Sequence, residues 1–160
     1  MRGRLAVWTA VGALVLLHFV LHVGLGVGRG APDLLTLALL LAAREVRIGT
    51  AAGIGLAFGL SEDSLSVVSF GANAVSLTVV GLLGAVTRDL FVGDSLRFLV
   101  SYFILGKWVR DLVTWLMMGE GLRQPFVNQV VVHGFVGGVY AAAVGVVIVM
   151  VLRGSREVRR

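Results

Sequence analysis

The sequence consists of six apolar runs separated by short breaks that are rich in charged residues, glycine and proline. Apolar runs of this kind predict buried helices, and a helix needs roughly 20 apolar residues to cross a bilayer. The predicted spans comprise residues 5–27, 33–43, 48–60, 67–87, 96–118 and 126–152. The second and third spans fall short of that length. We therefore expect helix tilt, a thinned membrane or burial against neighbouring helices to accommodate them.

The charged break between the second and third runs contains Arg44, Glu45 and Arg47. If these two runs formed one continuous span, the three charges would lie near the bilayer centre. Each charge there costs about 2.5–3.5 kcal/mol on insertion scales. Two short helices joined by a charged turn avoid this cost, so the sequence predicts six spans rather than five.

The composition agrees with a membrane protein that has no soluble domain. Hydrophobic residues make up 58% of the chain and charged residues 14%, and the mean hydropathy is +0.95. A soluble domain is typically about half apolar and a quarter charged. We therefore predict an all-α, polytopic fold in which residues 1–160 form a single integral membrane domain. The absence of cysteine excludes disulfides, iron–sulfur clusters and thiol catalysis.

The basic residues alternate from break to break, which predicts an orientation rather than nucleic-acid binding. With six spans and a cytoplasmic N-terminus, the inner segments hold Arg2, Arg4, Arg44, Arg47, Arg88, Arg97, Arg153, Arg156, Arg159 and Arg160. The outer segments hold only two basic residues, Arg29 and Arg123, and they carry the acidic residues Asp33, Glu62, Asp63 and Glu120. Both termini are therefore expected on the cytoplasmic side.

The fifth run contains charges that membrane residence alone does not explain. Lys107, Arg110 and Asp111 lie near the middle of an otherwise apolar helix. Charges at that depth usually face the bundle interior, a watery cavity or a partner. Lys107 and Asp111 are one turn apart and can pair within the helix. The alternatives are that the helix boundary is shifted and the charges snorkel, or that Arg110 pairs with Glu62 or Asp63 to hold the helices together.

The remaining polar residues predict packing rather than catalysis. His18 and His22 share a helix face, but a zinc site needs further ligands, so we expect no metal. Ser69, Asn73 and Ser76 predict hydrogen bonds between helices. The sequence contains no hydrolase, nucleotide-binding or metalloprotease signature in a suitable context. We therefore expect neither an enzyme nor a cofactor.

Several glycines recur four residues apart, as helices that approach closely in lipid require. These pairs are Gly49 with Gly53, Gly55 with Gly59, and Gly134 with Gly138. Most of them are expected to pack inside the bundle. A minority are candidates for an interface with another membrane protein.

The order of these features resembles the MreD family of rod shape-determining proteins along nearly the whole chain. The resemblance is carried by Pro32-Asp33 before a leucine-rich run, the charged turn at 44–47, the glycine-rich segment 49–60, an acidic residue at Glu62 or Asp63, and the segment from Phe70 through Asn73 and Gly84 to Arg88. The cluster of Lys107, Arg110 and Asp111 maps onto no motif of that family.

The resemblance implies a non-enzymatic scaffold or regulatory subunit of the bacterial elongation complex, in the inner membrane. It would bind the transmembrane helix of MreC and support peptidoglycan synthesis and rod shape, beside RodA, its class B penicillin-binding protein and MreB. The family is also similar in fold to the substrate-binding subunits of energy-coupling-factor vitamin transporters, and such a subunit is the alternative function. Candidate partner or cavity residues are Pro32, Asp33, Arg44, Asp63, Asn73, Lys107, Arg110 and Asp111.

Overall fold

The computed structural model describes residues 2–24, 33–65, 70–90 and 96–157, and these residues are helical with short turns and no strand. Six α-helices succeed one another: α1 (Arg2–Phe19), α2 (Leu34–Ala43), α3 (Ile48–Asp63), α4 (Ala72–Leu90), α5 (Leu96–Met117) and α6 (Gly134–Glu157). Two π-helical segments, Val20–Gly24 and Val127–His133, follow α1 and precede α6, and a 3-10 turn occupies Glu120–Leu122. The prediction of an all-helical fold with six helices is confirmed for the described residues.

The predicted spans and the helices differ mainly at their ends. Residues 25–27 of the first span and 67–69 of the fourth lie outside the described residues. The fourth helix begins at Ala72 rather than at residue 67, after a turn in which Gly71 has a φ of +97°. Residues other than glycine rarely adopt a backbone conformation with this φ, which explains the glycine at this turn.

Helix α2 lies at the centre of the bundle. All ten of its residues are buried, and it contacts α1, α3, α4, α5 and α6. A helix with no exposed face must be apolar all round, which agrees with its leucine-rich sequence. On the side of α5, the hydroxyl of Tyr102 lies 2.9 and 3.2 Å from the carbonyl oxygens of Leu40 and Gly84, which share its single hydrogen. This hydroxyl joins α5 to both α2 and α4.

Helices α3 and α4 pack backbone to backbone. A methyl group added at Gly81 of α4 would lie 2.5 Å from the carbonyl oxygen of Ala51 in α3. Gly55 and Gly59 on α3 face the backbone of Leu77 and Ala74 just as closely. By contrast, a methyl group at Gly49 or Gly53 would meet no atom within 4 Å. The glycines therefore form two sets, one inside the α3–α4 contact and one on the outer face of α3.

The outer surface of the bundle is strongly apolar. Large hydrophobic side chains are exposed on several helices, for example Leu16 at 70%, Leu105 at 58% and Phe135 at 62%. Within the described residues, two helical stretches are long and apolar enough to cross a membrane, Arg4–His22 and Val127–Leu152. Exposed apolar surface on this scale is of the kind that lipid or a protein partner covers.

Two groups of charged residues lie at opposite ends of the bundle. At one end, which we call the arginine end, Arg4 at the start of α1 pairs with Glu45, and Arg88 near the end of α4 donates to the carbonyl oxygen of Val46 at 2.8 Å. At the opposite end, α5 meets the start of α2 and the end of α3. We call this the network end.

The Gly81 contact generates a stability prediction. The Gly81→Ala variant should lower the free energy of unfolding by about 1–3 kcal/mol, because the new methyl group meets immovable backbone. Gly53→Ala, on the open face of the partner helix, should leave that free energy unchanged or raise it by up to about 1 kcal/mol, because alanine favours the helix and meets no neighbouring atom. Unfolding in mixed detergent micelles, followed by circular dichroism, measures both variants. Equal losses would contradict the packing described above.

Candidate functional site

The side chain of Arg110 lies at the centre of a buried ionic network at the network end. Arg110 is 6% exposed. Its guanidinium forms ion pairs with Asp33 and with Glu62, whose Oε2 lies 2.5 Å from Nη2. It also donates to the hydroxyl of Thr36 at 2.9 Å and to the amide oxygen of Asn73 at 3.4 Å. One side chain of α5 therefore joins the start of α2, the end of α3 and the start of α4.

Asp33 is positioned by its role as the N-cap of α2. Its carboxylate accepts from the backbone N–H of Thr36 at 3.1 Å and from the Thr36 hydroxyl at 2.7 Å. Such a cap satisfies a helix N–H that would otherwise lack a partner, and it places a negative charge at the positive end of the helix dipole. The same carboxylate faces Arg110 and thus serves both helices.

Lys107 extends the network by one turn of α5. Its ammonium pairs with Asp111 within the helix and lies 3.6 Å from Asp33. The Lys107 side chain is only 13% exposed, and α5 continues to Met117. The structure therefore places Lys107 inside the bundle, as the interior interpretation expected, and not at a helix boundary where it would snorkel.

The adjacent residues Glu62 and Asp63 at the end of α3 have different partners. Glu62 pairs with Arg110, whereas Asp63 is fully buried and caps α4 across the turn. The Asp63 carboxylate accepts from the backbone N–H groups of Gly71, Asn73 and Ala74, at 2.9, 3.2 and 2.9 Å. This cap fixes the position at which α4 begins. The sequence offered Glu62 or Asp63 as the acidic residue at the end of the third helix. In the structure, Glu62 pairs with α5 and Asp63 caps α4.

Two histidines lie near the end of α1, His18 in its last turn and His22 in the π-helical extension. His18 is 1% exposed, and its ring stacks on that of His22 with a centroid separation of 4.8 Å and an interplanar angle of 22°. Among the described residues, neither ring nitrogen of His18 has a hydrogen-bond partner. The same residues contain no group of three or more histidine, cysteine, aspartate or glutamate side chains that could hold a metal ion.

Six of the eight sequence candidates come together at the network end. They are Asp33, Asp63, Asn73, Lys107, Arg110 and Asp111. Arg44 does not join them, since it lies at the opposite end, where its carbonyl oxygen accepts from Arg88 at 3.4 Å. Pro32 lies outside the described residues. The sequence analysis missed Thr36 and Tyr102, although Thr36, three residues after Asp33, has the spacing of a helix cap.

The network holds helices together by matching charge inside the bundle. A buried charge is tolerated when it is paired and its remaining hydrogen-bonding groups are satisfied. Arg110 meets this condition through two carboxylates, a hydroxyl and an amide oxygen. The ion pairs and hydrogen bonds made by these side chains thus connect four helices, α2 to α5.

No family model, curated protein or solved structure matches this chain.

The central position of Arg110 generates the next prediction. Arg110→Met keeps much of the side-chain volume but leaves two buried carboxylates without their partner, which should lower the free energy of unfolding by about 3–5 kcal/mol. Arg47→Met removes an exposed arginine at the arginine end and should change it by less than about 0.5 kcal/mol. Detergent unfolding of the two purified variants provides the comparison. A loss for Arg110→Met no larger than that for Arg47→Met would exclude a stabilising role for the network.

Proposed function

We propose that this chain is a multi-pass membrane scaffold of the bacterial elongation machinery, which binds the transmembrane helix of an MreC-type protein. The observation that carries the membrane assignment is the distribution of side chains. Large apolar groups are exposed over the outside of the bundle, while the ionic groups at the network end point inward and pair with one another. This is the arrangement that a bilayer favours, because lipid solvates apolar surface and does not solvate charge.

The distribution of charge between the two ends supports an orientation. Arg4, Arg44, Arg47 and Arg88 belong to the arginine end. Positively charged ends of membrane proteins usually face the cytoplasm. We therefore place the arginine end in the cytoplasm with both termini, and the network end on the outer side of the inner membrane. Basic residues near the inner surface would attract anionic lipid by about 1 kcal/mol each.

A scaffold role is supported by what the polar side chains do. Arg110, Asp33 and Asp63 contribute ion pairs and helix caps that fix the positions of helices relative to one another. A protein that presents rigid helix faces to membrane partners needs interactions of this kind. The order of sequence features shared with the MreD family supports the choice of partner, with RodA, its class B penicillin-binding protein and MreB as further members of the assembly.

The outer face of α3 is the surface we assign to MreC. Gly49, Gly53 and Ala57 are exposed at a spacing of four residues, and no atom lies within 4 Å of a methyl group placed at either glycine. The same spacing on the inner face, at Ala51, Gly55 and Gly59, is buried against α4. Small residues at this spacing allow a second helix to approach closely in lipid.

Co-purification tests the assignment. A tagged form of this chain should retain the MreC of the same bacterium through purification in mild detergent. Gly53→Leu should reduce the retained MreC about tenfold or more, because the bulky side chain prevents close helix approach. Gly12→Leu is the matched control, since Gly12 is an equally open glycine on α1, and it should retain MreC at the wild-type level.

Two results would count against this function. Failure of the wild-type chain to retain MreC in any detergent or lipid would contradict the scaffold assignment. If Gly53→Leu retained as much MreC as the wild-type chain, the outer face of α3 would be excluded as the MreC-binding surface. A vitamin found tightly bound by native mass spectrometry would instead favour the substrate-binding subunit of an energy-coupling-factor transporter.

A further inference from the structure

Arginine side chains from two helices meet the turn between α2 and α3 at the arginine end. The turn itself contributes Arg44 and Arg47. From the start of α1, the Nη2 atom of Arg4 donates to the carbonyl oxygen of Glu45 at 3.3 Å. From the end of α4, Arg88 donates to two further carbonyl oxygens of the turn, at 2.8 and 3.4 Å. These four arginines form a single group, which we call the arginine patch.

The arginine patch has an excess of positive charge. Glu45 belongs to the turn and its carboxylate lies 3.7 Å from Arg4, and Asp89 follows Arg88 in the sequence. Four guanidinium groups and these two carboxylates leave two positive charges in excess. The side chain of Arg4 is 68% exposed, and Arg47 is exposed as well. A ligand outside the bundle can therefore reach two cations of the patch.

Exposed apolar side chains adjoin both of these cations. Leu5 follows Arg4 and Ile48 follows Arg47, and both apolar side chains are exposed. Trp8, one turn further along α1, is exposed too. The apolar surface of the bundle thus begins next to the arginine patch. A phospholipid combines anionic phosphate with hydrocarbon chains in the same arrangement, whereas a soluble phosphate compound or a nucleic acid would leave the apolar side chains uncovered.

We propose that the arginine patch binds the headgroup of an anionic phospholipid that has two phosphates, with Arg4 and Arg47 on the phosphates and the acyl chains along the adjoining apolar surface. Guanidinium groups bind phosphate through paired, charge-assisted hydrogen bonds. Basic pockets between transmembrane helices at the cytoplasmic side suit headgroups of this class. Two phosphates match the two positive charges in excess. Arg4 contacts the turn at Glu45, close to Arg47 in the chain, so both arginines can bind one headgroup.

A lipid at this position would hold the start of α1 and the start of α3 at the level of the membrane surface. The proposed MreC surface on α3 begins at Gly49, which follows Arg47 closely in the chain, so the bound lipid would lie beside that surface. Basic residues anywhere on the inner side attract anionic lipid, but a built site predicts that position matters as well as charge. The inference rests on the proposed membrane placement of the arginine end and not on the identity of the partner.

Native mass spectrometry of the full-length chain in a non-ionic detergent tests the proposal. The purified chain is mixed with equal amounts of diphosphatidylglycerol, phosphatidylglycerol and phosphatidylethanolamine. We expect one bound diphosphatidylglycerol, preferred about fivefold or more over each of the other lipids, because each basic residue near the headgroup contributes about that factor. Equal binding of phosphatidylethanolamine would overturn the site, and equal binding of phosphatidylglycerol would overturn the assignment of two phosphates.

Single arginine variants test the position of the site. Arg4→Gln and Arg47→Gln should each weaken the binding of diphosphatidylglycerol about fivefold, and both should keep their helical circular dichroism because the replaced side chains are exposed. Arg97→Gln is the matched control and should bind the lipid as the wild-type chain does. Arg97 is exposed at the start of α5, and among the described contacts it makes no hydrogen bond to the α2–α3 turn. Equal losses for all three variants would indicate a diffuse attraction and overturn the proposal.

Two further measurements separate the alternatives. Excess glycerophosphate, which has a phosphate but no acyl chain, should leave the lipid bound. Displacement of the lipid would identify a soluble phosphate compound as the ligand and overturn the lipid assignment. A chain that retains MreC but shows no lipid preference would overturn this site alone, whereas a chain that binds the lipid but does not retain MreC would contradict the scaffold role alone.

Discussion

The guanidinium of Arg110 is the interaction on which the arrangement of helices at the network end depends. It reaches the N-cap of α2, the last turn of α3 and the first turn of α4 from a position inside α5. Because Asp33 also caps α2, the network fixes both where α2 begins and how α2 to α5 sit together. A buried arginine is stabilising only while all of its partners remain in place.

The rest of the bundle is organised around α2, which is too short to cross a membrane of ~30 Å and has no exposed face. The start of α2 is held by the ion pair between Asp33 and Arg110. Further along, the hydroxyl of Tyr102 donates to the carbonyl oxygen of Leu40. The α3–α4 pair uses a third kind of contact, in which glycines such as Gly81 permit the backbones to touch. Polar contacts thus hold α2 against α5, whereas close backbone packing holds α3 against α4.

The helices could be predicted from the sequence because apolar runs and charged breaks are local signals. The ion pair between Lys107 and Asp111 could be predicted for the same reason, since the two residues are one helical turn apart. The contact between Arg110 and Glu62 remained one of several alternatives, because 48 residues separate the two and hydropathy contains no information on which helices are neighbours. Arg44 was named as a candidate for its charge beside a short span, and the direction of α2 places it at the end of the bundle opposite to Asp33.

The central proposal is that this bundle spans the inner membrane with its network end outward and its arginine end in the cytoplasm. The chain has no cysteine, so single-cysteine variants report position without background. Glu120→Cys and Arg47→Cys place exposed thiols at the network end and the arginine end respectively. In spheroplasts, a membrane-impermeant maleimide should label Glu120→Cys, and it should label Arg47→Cys only after permeabilisation. Labelling of both variants in intact spheroplasts, or of Arg47→Cys alone, would contradict this account.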